Sequence, residues 1–160
     1  MITQTRLKEV FCYENGKLFW KIRTSRCIHI GDEAGSKRTD GYRMIYVDGK
    51  HYLTHRLIFL YHHGYLPKQI DHIDMNRNNN LIENLRGCSN GQNSFNKKIQ
   101  KNNKSGVKGV YWCNNYKKWS AHCWINYKNY NLGYFTDLDE AKKIVQEFRE
   151  KHHGEFVNHG

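Results

Sequence analysis

Two dipeptides constrain the fold of the N-terminal half more than any other feature. Asn15-Gly16 and Asp48-Gly49 each stand between two apolar-rich runs, in FCYENGKLFWK and in YRMIYVDGKHYL. Asn, Asp and Gly tolerate the positive φ angles that two-residue hairpin turns require, so both dipeptides indicate tight turns between antiparallel strands. We therefore expect the first fifty residues to form β-hairpins.

A short helix follows the second hairpin. In THRLIFLYHHG, apolar residues crowd one part of a helical wheel, and Gly64 and Pro67 end the pattern. Residues 57–61 are the longest apolar run and are far too short to span a membrane. The N-terminus lacks the apolar core of a signal peptide, so we expect a cytoplasmic protein that does not contact membranes.

The C-terminal third has a different pattern. In WSAHCWI, apolar and polar residues alternate, which predicts a strand, and GVKGVYW and NYNLGYF give two more. A helix is expected to begin with Thr136 as its N-cap and Asp139 three residues later. Its apolar stripe would cover one face of the three strands, which leaves the other face exposed, basic and aromatic.

The charge of the chain points to polyanionic partners. The formal net charge is +11, and residues 87–136 contain no Asp or Glu, while eight lysines fall within residues 97–128. A solvated cationic face is the simpler interpretation, but the richness in aromatics favours binding to a phosphate backbone. The polar segment KKIQKNNKS is expected to be a basic linker that lies along DNA and contacts it through Lys101 and Lys104.

The five cysteines are widely spaced, at Cys12, Cys27, Cys88, Cys113 and Cys123. The sequence contains no C-x-x-C pair, which argues against a zinc ribbon and against a disulfide scaffold. We interpret all five as reduced thiols.

The segment DHIDMNRNNNLIENLRGCSNGQN carries the candidate chemistry. Gln69 to His72 is expected to be a strand that runs into an amide-rich loop, with residues 81–86 as the return strand. Ser89-x-x-Gln92 is a capping box that predicts the start of a helix with Asn93 in its first turn. Asp71, His72 and Asn93 are therefore expected to converge. An imidazole can accept a proton from water near neutral pH, which suits phosphodiester hydrolysis.

These residues resemble the HNH endonucleases, in particular the phage and homing-endonuclease branch. The resemblance covers residues 40–97 and rests on Asp71-His72, on Asn84 twelve positions after the histidine, and on Asn93 nine positions later. It implies a hairpin-plus-helix (ββα-metal) site holding one divalent ion, Mg²⁺ or Mn²⁺, with Asp71 and Asn93 as ligands. His72 would be the general base and Asn84 would orient the loop. The implied products carry 5′-phosphate and 3′-hydroxyl ends.

The segment from residue 104 to 156 resembles the APETALA-type (ethylene-response-factor) DNA-binding domain, through SGVKGVYW, KKWSAHCWI and NLGYF. That resemblance implies that a three-stranded sheet lies in the major groove of DNA. The residues that would face DNA are Lys108, Tyr111, Cys113, His122, Trp124, Asn129 and Asn131. The segment has no arginine before Arg149, so we expect phosphate contacts and little base recognition.

Taken together, these patterns predict an α+β protein that cleaves double-stranded DNA as a monomer or homodimer without a small-molecule cofactor. The expected parts are an HNH domain at residues 1–97 with its core motif at 54–97, a linker at 98–105 and a DNA-binding domain at 106–157. One rival hypothesis is a non-catalytic DNA-binding regulator; another is an RNA-binding protein. The sequence assigns no function to His62 or His63, and for His55 and Arg56 it leaves open a structural role or a phosphate contact.

Overall fold

A computed structural model of the chain describes residues 2–95, 99, 102–125, 128–157 and 159. The chain forms two compact units, Met1–Cys88 and Ser89–Gly160. Each unit combines short antiparallel sheets with helices, so the predicted α+β class is confirmed. The split lies before the expected linker, because the helix that follows Cys88 contacts the C-terminal end of the second unit. The proposed bounds of the two functional domains stay a prediction.

The first unit contains three small antiparallel sheets and two helices. In chain order its elements are α1 (Gln4–Val10), β1 (Phe11–Glu14), β2 (Lys17–Trp20), β3 (Ser36–Lys37), β4 (Arg43–Val47), β5 (Lys50–Leu53), α2 (Thr54–His63), β6 (Gln69–His72), a 3-10 helix (Ile82–Asn84) and β7 (Leu85–Cys88). The sheets are β1-β2, β3-β4-β5 and β6-β7. The last of these hairpins carries the Asp71-His72 pair.

The two predicted hairpin turns are confirmed. Asn15 and Gly16 have φ angles of 46° and 77°, and Asp48 and Gly49 have φ angles of 48° and 77°. Two consecutive residues with positive φ are the signature of the turn that matches the twist of antiparallel strands. The turns set the register, with Glu14 opposite Lys17 in β1-β2.

Helix α1 was not predicted, because the first fifty residues were expected to form hairpins only. Thr3 caps the helix, since its side-chain oxygen accepts a hydrogen bond from the backbone N–H of Arg6 at 3.2 Å. Leu7 and Val10 are fully buried in the core of the first unit. Seven residues span too few turns to show a helical period, so packing of this apolar pair stabilises the helix.

Helix α2 forms as predicted. Leu57 and Ile58 are almost completely buried in the core, and the helix ends at Gly64, which has a φ of 76° and donates its N–H to the carbonyl of Leu60 at 2.9 Å. This left-handed C-cap is the arrangement that glycine favours. The return strand after the amide-rich loop is later than expected, because residues 82–84 form a 3-10 helix and β7 begins only at Leu85.

The second unit contains α3 (Asn90–Phe95), β8 (Val110–Cys113), β9 (Lys118–Ile125), β10 (Lys128–Phe135), α4 (Leu138–His153) and a 3-10 helix (Gly154–Phe156). The strands form one antiparallel sheet in the order β10-β9-β8. Ala121 on β9 and Ala141 and Val145 on α4 are completely buried together. The alternation predicted for β9 is therefore confirmed, and α4 covers one face of the sheet.

The N-cap of α4 is Asp137 rather than Thr136. One carboxylate oxygen of Asp137 accepts hydrogen bonds from the backbone N–H groups of Asp139, at 2.6 Å, and Glu140, at 3.4 Å. An aspartate at this position satisfies two of the unpaired donors and places negative charge at the positive end of the helix dipole. The predicted start of the helix was wrong by one residue.

Candidate active site and nucleic-acid interface

The β6-β7 hairpin positions Asp71 and His72 at the end of β6, where their side chains are buried. In the antiparallel register Asp71 lies opposite Arg86. The Oδ2 atom of Asp71 accepts hydrogen bonds from Nε of Arg86 at 3.1 Å and from Nη2 at 2.9 Å. A charge-assisted pair of this kind fixes the orientation of a carboxylate. The contact of Arg86 with Asp71 depends on a register that the sequence did not predict.

His72 is held by a side chain that the sequence analysis did not identify. The Nε2 atom of His72 lies 2.9 Å from Oδ1 of Asn80, and this contact is buried. Since an amide oxygen only accepts hydrogen bonds, Nε2 is the donor, and the neutral ring carries its lone pair on Nδ1. Asn80 is 2% exposed. Nothing in the run of asparagines at residues 76–80 distinguishes Asn80 from its neighbours.

Aromatic rings surround the candidate base. The His55 ring centroid lies 5.2 Å from that of His72 and 5.1 Å from that of Tyr42, and the guanidinium of Arg77 lies 4.8 Å from the Tyr42 ring centroid. Burial, and secondarily the nearby His72 and Arg56, lower the pKa of His55 to about 3. His55 is therefore a neutral ring at physiological pH. It packs against the candidate base, which favours a structural role.

We expect this buried histidine to make the first unit sensitive to acid. An unfolded histidine has a pKa of about 6.5, so between pH 6.5 and about 3 the unfolded chain binds a proton that folded His55 excludes. The free energy of unfolding is then highest above pH 6.5 and decreases below it, by at most about 1.4 kcal/mol per pH unit. Amide hydrogen exchange in α2, corrected for intrinsic rates, should show this loss between pH 7 and pH 5. His55→Gln, which cannot titrate, should show a smaller loss; equal losses in both proteins would contradict the assignment.

The neighbouring residue Arg56 has a structural contact too. Its guanidinium donates hydrogen bonds to the backbone carbonyls of Pro67 at 3.3 Å and Lys68 at 3.5 Å. These bonds connect α2 to the segment that leads into β6. These two contacts favour a structural role for Arg56 over a phosphate contact.

Asn84 connects the two ends of the amide-rich loop. Its side-chain oxygen accepts a hydrogen bond from the backbone N–H of Asp74 at 3.0 Å, and its amide donates to Oδ1 of Asp74 at 2.9 Å and to the carbonyl of Asn79 at 2.8 Å. Burial acts to raise the pKa of Asp74, but hydrogen bonds from Asn79, Asn76 and Asn84 outweigh it and lower that pKa. The asparagines thus form a hydrogen-bonded framework around an ionised Asp74.

Asn93 lies on α3 in the second unit. The predicted capping box is confirmed, since the backbone N–H of Gln92 donates to Oγ of Ser89 at 3.2 Å and Oε1 of Gln92 accepts from the N–H of Ser89 at 2.8 Å. The N–H of Asn93 donates to the carbonyl of Ser89 at 3.0 Å. The box sets the start of α3 and so the position of Asn93 in its first turn. A shared cation between Asn93 and Asp71 stays a prediction.

A second candidate site is the sheet face of the second unit that α4 does not cover, here called the outer face. Residues directly opposite each other in an antiparallel pair share a face, so the register assigns to the outer face Tyr111, Cys113, Lys118, Ser120, His122, Trp124, Asn129, Asn131 and Tyr134. Tyr111 and Trp124 are 52% and 61% exposed. Six of the seven residues that were predicted to face DNA from the three strands lie on this face, and the seventh, Lys108, precedes β8.

Hydrogen bonds order the centre of the outer face. The rings of Tyr111 and His122 are stacked, with centroids 5.2 Å apart and an interplanar angle of 18°. Nε2 of His122 lies 2.9 Å from both the Tyr111 hydroxyl and Oγ of Ser120, and its Nδ1 lies 3.3 Å from Oδ1 of Asn129. The exposed aromatic and amide groups are therefore preorganised.

The three predicted lysine contacts differ in their positions. Lys104 is exposed. Lys108 precedes β8 and is half-buried, and burial, then the charge of Arg149, lowers its pKa to about 8. Its backbone carbonyl accepts a hydrogen bond from buried Arg149 at 2.5 Å, so Lys108 lies closer to the core than predicted. Lys101 lies outside the described residues.

Two further expectations concern metal and membrane sites. Within the described part of the chain, no group of three or more His, Cys, Asp and Glu side chains is placed to hold a metal ion, and no disulfide is formed. Across the same residues, no helix has the length and apolarity needed to cross a bilayer.

The β6-β7 hairpin, the Asp71-His72 pair and the loop held by Asn84 can be compared with known protein families. The family profile described as HNH endonuclease matches residues 52–95. Protein 3.8 of Escherichia phage T7 is 35% identical over 96 residues, which is 59% of this chain and 78% of that protein. An uncharacterized HNH endonuclease, L560, of Acanthamoeba polyphaga mimivirus is 38% identical over 120 residues, which is 73% of this chain.

Residues 52–95 of this chain therefore form an HNH endonuclease domain, and the chain has viral relatives. The match spans 61% of the mimivirus protein, which is less than two thirds of its length. No solved structure matches the chain.

Proposed function

We propose that this protein is a metal-dependent endonuclease that hydrolyses phosphodiester bonds in double-stranded DNA. The observation that carries the proposal is the buried Asp71-His72 pair, in which Arg86 orients the carboxylate and Asn80 orients the imidazole. The HNH endonuclease domain at residues 52–95 supports nuclease activity. An oriented base and a charged ligand at one strand end are what hydrolysis by an activated water requires.

His72 acts as the general base in this proposal. Its Nε2–H donates to Asn80, so Nδ1 offers the lone pair that takes a proton from the attacking water. Asn84 holds the loop that carries Asn80, because its amide bridges Asp74 and Asn79. The products expected from the family resemblance are a 5′-phosphate and a 3′-hydroxyl.

Asp71 and Asn93 are the residues that would hold a divalent cation. A carboxylate oxygen and an amide oxygen are hard donors of the type that Mg²⁺ and Mn²⁺ prefer. A carboxylate has about four acceptor sites, which is more than the two hydrogen bonds that Arg86 donates to Asp71. Burial, and then the charge of Asp71, raise the pKa of the Cys88 thiol to about 11, so this sulfur is protonated when no metal ion is bound. When bound, the ion would stabilise negative charge on the phosphate and on the leaving oxygen.

Cleavage is expected to require a divalent ion. Supercoiled plasmid should be nicked or linearised when Mg²⁺ or Mn²⁺ is added, and should stay supercoiled in excess EDTA, because no side chain of the proposed site replaces the cation. Gel electrophoresis of the plasmid forms gives the result directly. Full cleavage in EDTA would contradict the metal-dependent mechanism.

We further propose that the outer face of the second unit grips duplex DNA, in the manner that the APETALA-type resemblance implies. Its support is the uncovered sheet face with exposed Tyr111 and Trp124 and the exposed cation Lys118. A sheet or ribbon fits the width of the major groove. Lysine contacts with phosphate give affinity with little sequence preference.

The salt dependence of DNA binding tests whether the outer face contacts DNA phosphates. In Lys118→Gln, the slope of log affinity against log salt concentration should decrease by about 0.9, because one phosphate contact is lost. Lys142→Gln is the matched control, since Lys142 is an exposed lysine of α4, on the opposite side of the sheet. Equal slopes for the wild type and Lys118→Gln would exclude Lys118 from the interface.

The biological setting belongs to the same proposal. The phage T7 relative supports a phage origin, and we place the enzyme in the cytoplasm of a bacterial host as a homing-type nuclease. The proposed site uses one Asp71-His72 pair per chain, so nicking is the expected outcome for a monomer and double-strand cleavage for a homodimer.

A further inference from the structure

The second unit contains a pocket at the β8 edge of its sheet. Its lining residues are different from those of the Asp71-His72 site. Its volume is about 360 Å³, and the described residues that shape it include Asn102, Lys104, Tyr111, Trp112, Asn114 and Trp119. That volume lies within the range of about 300–1,000 Å³ that is typical of small-ligand sites. We propose that this pocket binds one unpaired deoxynucleotide, with its base stacked on Trp112 and its phosphate near Lys104.

Trp112 has the properties of a stacking platform. It is 46% exposed, and its ring makes an edge-to-face contact with Trp119, with centroids 5.1 Å apart and an interplanar angle of 73°. This contact holds the indole in one orientation while leaving much of its surface accessible. Bases stack on such rings with little dependence on sequence, because every base has an aromatic face.

The wall of the pocket next to Lys104 is preformed. Oδ1 of Asn103 accepts a hydrogen bond from the N–H of Gly106 at 2.9 Å and lies 2.8 Å from Oγ of Ser105. The amide of Asn103 donates to the carbonyl of Val107 at 3.0 Å, and Oγ of Ser105 bonds the carbonyl of Val110 at 2.6 Å. The bonded segment therefore presents Lys104 from an ordered turn, so little ordering is needed when a ligand binds.

The polar groups of the pocket suit a nucleotide better than they suit an apolar molecule or an acidic side chain. Asn102 and Asn114 are exposed amides, which offer both donors and acceptors to the edge of a base. Lys104 supplies a cation, and residues 87–136 contain no Asp or Glu that would repel a phosphate. We assign a deoxynucleotide rather than a ribonucleotide because the chain carries an HNH endonuclease domain.

This site shares Tyr111 with the outer face, but its stacking residue does not belong to that face. Trp112 lies opposite Trp119 in the β8-β9 register, so both belong to the side of the sheet that faces α4. A base can stack on Trp112 only after it has left its own base stack. The inference goes beyond the proposed function and does not depend on the HNH site being active.

The test compares two short DNA duplexes in EDTA, so cleavage does not enter the measurement. One duplex is fully paired, and the other carries a single unpaired nucleotide with a fluorescent aminopurine base. We expect the wild type to bind the second duplex roughly tenfold more tightly and to quench its fluorescence, since stacking on an aromatic side chain contributes at about this level.

Trp112→Ala should lose both the preference and the quenching, and Trp112→Phe should retain part of each. Trp124→Ala is the control: Trp124 is an exposed tryptophan of the outer face, so its loss should weaken binding to both duplexes and leave their ratio unchanged. If Trp112→Ala fails to fold, as judged by circular dichroism, Lys104→Gln and Asn114→Ala give the same comparison from exposed positions.

Equal wild-type affinity for the two duplexes, or quenching that persists in Trp112→Ala, would overturn the proposal. Tighter binding to the same duplex with an unpaired ribonucleotide would overturn the assignment to DNA. Loss of plasmid cleavage with the duplex preference intact would refute only the nuclease proposal, so the two failures are distinguishable.

Discussion

Replacing His72 by alanine is expected to remove DNA cleavage while DNA affinity stays close to that of the wild type. General acid–base catalysis contributes about 10²–10⁴-fold to a rate, and an alanine has no group to accept the proton of the attacking water. His72 is 4% exposed, so its side chain adds little to a surface that contacts DNA. Plasmid relaxation with Mg²⁺ measures the rate, and electrophoretic mobility shift in EDTA measures the affinity.

The control for this variant is His29→Ala. His29 is an exposed histidine of the first unit, with 73% of its side chain accessible, and its replacement should leave cleavage unchanged. Circular dichroism checks that His72→Ala is folded, since removing a buried ring leaves a cavity and an unpaired Asn80 amide. Cleavage by folded His72→Ala at the wild-type rate would refute the assignment of His72 as the base.

Asn80→Ala is expected to have the second-largest effect. Without the acceptor for Nε2–H, the imidazole of His72 loses the partner that selects its tautomer, and small misplacements of reacting groups cost up to about 10²-fold in rate. We expect kcat to decrease by roughly 10–100-fold with little change in KM for DNA. An unpaired buried donor also costs about 1–3 kcal/mol of stability, so the rate should be measured well below the unfolding temperature.

Two further variants separate positioning from simple destabilisation. Asn80→Asp keeps an oxygen acceptor at the same place, so it should retain more activity than Asn80→Ala. Asn78→Ala removes an exposed asparagine of the same run and should behave like the wild type. Nitrogen NMR of the His72 ring should show the Nε2–H tautomer in the wild type and a mixture in Asn80→Ala. A single unchanged tautomer in Asn80→Ala would contradict the positioning role.

Several parts of the fold could be predicted because their causes are local. The φ angles that Asn15-Gly16 and Asp48-Gly49 tolerate specify the hairpin turns. The Ser89–Gln92 capping box depends on groups three residues apart, and its hydrogen bonds form as expected. The alternation in β9 likewise needs only the two-residue period of a strand.

Other elements were not predicted because contacts between residues distant in the sequence determine them. Helix α1 has too few residues to show a period, and burial of Leu7 and Val10 stabilises it. The 3-10 helix Ile82–Asn84 replaces the start of the expected return strand, and the backbone N–H of Ile82 donates to the Tyr13 hydroxyl at 3.1 Å. Tyr13 is distant in sequence, so no local pattern predicts this contact.

The composition and spacing of the chain were enough to propose the chemical groups of the candidate site. Asp71, His72, Asn84 and Asn93 stand at intervals typical of HNH endonucleases, and the acid-free, lysine-rich segment predicts a polyanionic partner. These inferences could be made from the sequence because they depend on which groups are present and on short spacings along the backbone.

The fold was needed to show how the candidate base is held. Asn80 is one of several asparagines in its loop, and only the folded loop brings its amide within 2.9 Å of His72. Arg86 contacts Asp71 because the strand register makes them opposite neighbours, and burial of His55 against His72 lowers the pKa of His55. Each of these properties is a distance or a degree of burial between groups remote in the chain, and such quantities exist only once the core has packed.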